Sequence, residues 1–371
     1  MLALQICGAT AAQQEQIEGA RFVGSAGCKS SSCHGGAGEK RSHYITWARH
    51  DIHTRGYAIL TDARSERMAD ALNLPQVREG MGRATTSARC TICHSPFQTI
   101  PQAQRASTVD PMESVSCENC HGAAGTWLRG HTRNDWTYAT RVGAGMRDLK
   151  NVYVRANTCV GCHQTLDSDI ADAGHPELVF ELDSQSVAEP KHWRDPADSS
   201  VRAWLVGQAV ALREVSWRLA AGSDIHTHSQ FDALSWLLGE VTQAEATLPP
   251  LQQPSFELDA IGFKNVQQQA DALARRAATQ EFNGDFARRL LNRLAACDPT
   301  ASHDMPGDSP DRSFYRAQRL VLALDRLSAA GAARVTPELR ALRDELRDPS
   351  AFDTTRFVEQ LARFRQSLEQ H

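Results

Sequence analysis

Three times along this chain of 371 residues, two cysteines stand with two residues between them and a histidine directly behind the second. The runs are Cys90-Thr91-Ile92-Cys93-His94, Cys117-Glu118-Asn119-Cys120-His121 and Cys159-Val160-Gly161-Cys162-His163. A fourth run, "SAGCKSSSCHGG", ends the same way at Cys33 and His34 but leaves four residues after Cys28. With 14 histidines in 371 residues, coincidence would place one behind all four pairs at the fourth power of 14/371, about two in a million. The histidines therefore belong to the pattern, and any reading of the fold has to use them.

Cys-x-x-Cys-His is the attachment signature of c-type haem. Each thiol adds to one vinyl group of the macrocycle, so the two cysteines must be close together. The next residue is then held beneath the iron, where an imidazole supplies the proximal ligand. Three other readings compete: a zinc ribbon built from Cys90/Cys93 and Cys117/Cys120, a thioredoxin-like pair, and structural disulfides. None of them requires a histidine after every pair. The expectation is four covalent haem c groups on Cys28/Cys33, Cys90/Cys93, Cys117/Cys120 and Cys159/Cys162. Their proximal ligands are then His34, His94, His121 and His163. In the first motif, Lys29, Ser30, Ser31 and Ser32 are polar and flexible, and the extra length is expected to bulge outward.

Four irons offer four distal positions. The spare histidines up to Pro190 are His43, His50, His53, His131 and His175, and the methionines are Met68, Met81, Met112 and Met146. Bis-histidine ligation gives low potentials, while Met/His ligation raises them. The run "SHYITWARHDIHTRGYAIL" is expected to be helical with Trp47 and Ile52 inward, which places His50 and His53 on one face. His131 follows a glycine-rich turn in "HGAAGTWLRGH", and His175 is framed by Gly174 and Pro176. His53, His131 and His175 are the expected distal ligands. The fourth position falls to His43, His50 or a methionine, or stays open. His192, beside Trp193, is expected to pack, with an approach to a haem from the linker as the alternative.

A net charge of -4 without a basic run gives no basis for nucleic-acid binding, and no apolar stretch reaches the ~18 residues of a membrane span. Aromatic residues are only 6% of the chain, few for a side-chain core of this size, as expected if haem discs fill part of it. The opening "MLALQICGATAA" is apolar and ends in small residues, like a shortened export signal, so a periplasmic location is expected. The expected division is a signal segment at 1–12, a tetrahaem cytochrome c domain at 13–190 and a helical domain at 191–371. "ELVFEL" suggests a short strand. Beyond the linker near "SVAEPKHWRDPADSS", three apolar faces predict helices of a bundle of five to seven. These are Val201/Trp204/Leu205/Leu212/Val215/Leu219, Phe314/Leu320/Val321/Leu324/Leu327 and Phe357/Leu361/Phe364/Leu368. His226 and His228 are expected to face solvent rather than bind metal.

From Phe22 to Leu182 the chain resembles the tetrahaem cytochromes of the cytochrome c-554 type. The matching pieces are "FVGSAGCKSSSCH", "ARHDIHTRGYAIL", "ARCTICH", "VSCENCHGAAGTWLRGH" and "RANTCVGCHQTLDSDIADAGHPELVFEL". The resemblance implies a mainly α, loop-rich domain wrapped on packed haems, here followed by the helical bundle. It implies bis-histidine ligation at most irons, with His53, His131 and His175 at the family's distal positions. Such families can carry one five-coordinate haem, whose expected site here is Cys90–His94. The lengthened first motif departs from the family, and so does the C-terminal half, where "HSQFDALSWLLGE" carries no cysteine. The expected function is electron transfer between redox partner proteins. The alternative is a haem enzyme acting on a small nitrogen species at one open iron.

Overall fold

The computed structural model describes residues 21–39, 41–193, 199–222, 225–251, 258–300, 310–330 and 336–369, so the expected signal segment lies outside them. The described chain is mainly helical, and its only β pairing is an isolated bridge between Phe22 and Arg105. The expected strand at "ELVFEL" does not form. Residues 177–181 are irregular and a helix starts at Leu182. A strand needs a paired edge, whereas here the Phe180 carbonyl accepts from the Arg319 guanidinium instead, at 2.8 Å.

Two compact units are interleaved along the chain rather than separated by one cut near residue 190. The first takes the N-terminal part through Lys150, together with Asp169–Pro176 and Glu189–Trp193. The second takes Asn151–Ser168, Glu177–Ala188 and everything from Arg194 onward.

The first unit is built from short helices and turns, chief among them α1 (His43–His50), α2 (Ala63–Ala71), α3 (Ala88–His94) and α4 (Cys117–His121). Helix α1 ends at Asp51, whose carboxylate accepts from the His53 amide and starts a 3-10 turn. That break turns the following residues off the expected face, so Ile52 is 70% exposed rather than inward, and His50 is exposed. Side-chain packing in this unit is sparse. Among the described residues, one apolar cluster joins Leu60, Ala69, Leu74 and Ala84, with Leu72 and Cys90 against it, and Phe97 and Trp127 are buried outside it.

The second unit begins with α5 (Val152–His163) and α6 (Leu182–Ala188) and continues through seven helices. These are α7 (Ser199–Ala221), α8 (Ile225–Ala244), α9 (Ala260–Thr279), α10 (Gly284–Ala295), α11 (Pro310–Ala330), α12 (Thr336–Asp344) and α13 (Thr354–Leu368). Capping chemistry sets several starts: Asp259, Asn283 and Asp353 each accept a backbone N–H of the first turn. The three apolar faces read from the sequence are buried, except that Leu368 is half-buried. Helix α7 is apolar on nearly every side and runs through the core, as a helix without a polar face must. Helix α5 belongs here because Val152, Ala156 and Val160 repeat every fourth residue and are buried in the same core as α7 and α9. The fourth Cys-x-x-Cys-His motif is thus carried by the bundle. His228 is exposed as expected, and the side chain of His226 lies outside the described residues.

Candidate haem centres

The three regular motifs share one local structure. "CTICH" ends α3, "CENCH" is the whole of α4, and "CVGCH" ends α5. In a helix, cysteines three apart point to one side, and the histidine four beyond the first cysteine lies on the same side. The spacing therefore presents two thiols and one imidazole together without further tertiary help. Capping holds these short helices. At α4 the Asn119 side chain accepts from the Ser116 amide at 2.7 Å, Asn151 caps α5, and Arg147 donates to the carbonyls of Asn119 and Cys120 at 2.6 and 2.9 Å.

The first motif reaches the same end by a loop. Lys29, Ser30, Ser31 and Ser32 are exposed, as expected of an outward bulge, and the chain returns so that the His34 amide donates to the Cys28 carbonyl at 3.2 Å. Cys28 is buried, and its thiol is hydrogen-bonded to that of Cys117, so the first and third motifs lie side by side. That contact lowers the Cys28 thiol and, with burial, pushes Cys117 up. The described cysteines form no disulfide. Nor do the second and third cysteine pairs converge on a zinc site: among the described residues the one group with metal-binding spacing is Asp51, His53 and Glu189.

Three motif histidines have another imidazole facing them. Ring centroids are 6.1 Å apart for His34 and His131, 6.2 Å for His94 and His175, and 6.3 Å for His121 and His192. Two imidazoles on opposite sides of one metal, with nitrogens roughly 2 Å from it and about 1.1 Å from their own ring centres, have centroids about 6 Å apart. The residues fit bis-histidine haem. The ring of His175 beside His94 offers a sixth ligand at the motif where a five-coordinate haem was expected. Backbone geometry supports that pair: Gly174 has φ +102°, and a Cβ on Gly56 would lie 2.7 Å from the His94 carbonyl oxygen.

The facing histidines share a second feature. In each, Nδ1 is next to an oxygen that can only accept: Leu128 carbonyl at 2.5 Å for His131, Pro176 carbonyl at 2.7 Å for His175, and Pro190 carbonyl at 3.3 Å for His192. His53 follows the rule with carboxylates, its Nδ1 lying 2.9 Å from Asp51 and 3.0 Å from Glu189. An Nδ1–H donated to an acceptor leaves Nε2 as the ligand atom and fixes the ring's direction, as in metal-bound histidines generally. Hydrogen bonds to Asp51 and Glu189 raise His53 to about 10, while burial, with His192 next, lowers His121 to about 4. On the proximal side, His34 Nδ1 meets His43 Nδ1 at 2.9 Å, and His163 Nδ1 lies 3.4 Å from the Gln185 amide.

Of the expected distal ligands His53, His131 and His175, the structure sets His131 and His175 near motif histidines and His53 against Asp51 and Glu189, and it adds His192, whose default reading was packing. No spacing pattern marks His192. The signal that would have singled it out is its place just after Pro190, whose carbonyl orients the ring.

Residues 27–122 match the model of a family described as cytochrome c554 and c-prime. No curated protein and no solved structure matches the chain. The family match bears out the resemblance drawn from the motifs, and it implies a c-type cytochrome with covalently bound haem c and redox partners. It spans the first three motifs and ends just past His121, before the fourth motif and the bundle.

Proposed function

We propose that the chain is an exported, periplasmic electron carrier holding four haem c groups, those on His34, His94 and His121 with histidine on both sides of the iron. Haem c supplies a one-electron redox couple whose potential is set by axial ligands, burial and hydrogen bonds. The protein's residues do the rest. Cys28/Cys33, Cys90/Cys93, Cys117/Cys120 and Cys159/Cys162 hold the groups, and His34, His94, His121 and His163 supply the proximal nitrogens. His131, His175 and His192 present Nε2 from the other side, with His53 held for the same role by Asp51 and Glu189. The touching thiols of Cys28 and Cys117 support close neighbours within the first unit. Among the described residues, no helix is long and apolar enough to cross a membrane. Other cytochromes or oxidoreductases are the fitting partners.

The observation that carries this reading is the set of Nδ1-anchored imidazoles opposite motif histidines at 6.1 to 6.3 Å. An imidazole near three of the four motif histidines favours the carrier over an enzyme, which needs an open iron. The intact mass of holoprotein exported by a host with haem-attachment machinery is expected to show four haems. Cys33→Ala should show three, and an unchanged mass increment would remove the first motif from the set. His192→Ala should turn one low-spin haem high-spin by electron paramagnetic resonance. A spectrum identical to the parent's would return His192 to a packing role.

A further inference from the structure

The bundle places one unusual charge beside the fourth motif. Arg319, in the middle of α11, is 2% exposed and among the largest fully buried side chains. Its described partners are neutral. One terminal nitrogen donates to the Phe180 carbonyl at 2.8 Å and to Gln208 Oε1 at 3.1 Å. The other lies 3.5 Å from Oε1 of Gln164, the residue directly after His163. Gln164 is itself buried and held in place: its amide donates to Gln230 at 2.7 Å, and Gln230 donates to Glu177 at 2.9 Å. Burial pulls the guanidinium down to about 10, with Glu177 and Glu181 acting the other way, so it keeps its charge at neutral pH. A buried cation is expensive when it is not paired with a carboxylate. Packing alone does not call for one, since Leu or Met would fill the volume.

We propose that Arg319 is a positioning residue that sets the potential of the haem carried by Cys159, Cys162 and His163, its buried positive charge favouring the reduced form. Reduction lowers the positive charge at the haem by one unit, so a nearby fixed cation destabilises the oxidised state more than the reduced one. In a water-poor interior this influence is weakly screened by salt. The C-terminal bundle thereby acquires a redox role, although it holds no motif beyond α5. This inference rests on the haem reading above.

The test is a spectroelectrochemical titration of the holoprotein, with haem counted by intact mass on the same samples. Arg319→Gln is expected to lower one midpoint of the set enough to change its oxidised-to-reduced ratio at fixed potential about tenfold, 59 mV for a one-electron couple. Arg319→Lys keeps the charge and should hold that ratio within about threefold. Gln208→Glu keeps side-chain shape and sets a carboxylate against the guanidinium, so it should reproduce the downward shift even if Arg319→Gln does not fold. In a Cys159→Ala/Cys162→Ala background the shift should vanish. Unmoved midpoints in Gln208→Glu would overturn the proposal, as would Lys and Gln variants shifting equally. A parent protein without haem on Cys159 and Cys162 would remove the haem reading itself, and this proposal with it.

Discussion

Produced without haem, the chain is expected to lose protection from hydrogen exchange across residues 21–150 while residues 199–369 stay protected. The two units differ in what their side chains can bury. In the second, apolar residues from α5 through α13 form one continuous core, including Trp204, Phe180, Phe357 and Phe364 with no exposed surface. In the first, the apolar cluster has four buried members, two of them alanines. At about 1.5–3 kcal/mol for a buried large aliphatic side chain, such a cluster does not offset about 1–2 kcal/mol of backbone entropy per ordered residue. Covalently attached haem supplies the missing apolar surface, so its binding is also this unit's folding, as for structural metals in small domains. Helix α5 is the discriminating element. It carries a haem motif, yet Val152, Ala156 and Val160 belong to the bundle core, so it should stay protected. A variant with all eight motif cysteines replaced by alanine, followed by hydrogen exchange and mass spectrometry, gives the comparison. Equal protection in both units would show that the first has a core of its own.

Glu118→Ala is expected to destabilise the first unit by several kcal/mol and to reduce haem attachment at the first motif. Glu118 sits between the cysteines of "CENCH" at 1% exposure. Its carboxylate accepts from the amides of Val23 at 3.0 Å, Gly24 at 2.7 Å and Ala124 at 2.6 Å, while Glu113 accepts from Ser25 at 3.0 Å. These bonds tie the segment leading to Cys28 onto the third motif. Burial holds the Glu118 carboxyl above its ordinary range although three amides favour its anion. Alanine would leave those buried N–H groups without an acceptor, at about 1–3 kcal/mol each. Glu118→Gln keeps one acceptor oxygen and should lose less. Thermal unfolding and the intact-mass haem count are the readouts, and an alanine variant with the parent's melting temperature and full haem content would refute this account.

The chemistry of attachment was legible in the sequence because it is local. Two thioethers and an axial nitrogen need residues at positions one, four and five of a helical turn, and "CTICH", "CENCH" and "CVGCH" state that spacing outright. The bundle faces were legible for a similar reason: helical periodicity projects burial onto the chain, so Leu212, Leu324 and Phe364 could be placed inside before any contact was known. His131 and His175 also carried local signs, since adjacent glycine and proline shape their turns. The inward placement of Ile52 failed because one side chain, Asp51, ended a helix that the apolar pattern would have continued.

What depended on tertiary structure was everything joining residues far apart along the chain. A distal ligand is one imidazole with no required neighbour, so His192 reads like any other histidine until it is seen opposite His121. Glu118 looks like a spacer between cysteines until amides from Val23 and Gly24 arrive. Arg319 looks like one more charge on an amphipathic helix until it proves buried, with a carbonyl and two neutral amides as its hydrogen-bond partners. The reason is physical. Covalent and helical geometry act over a few bonds and leave a periodic trace in the sequence. Ligation, and hydrogen bonds and charges that meet across the fold, act through space, and they leave none.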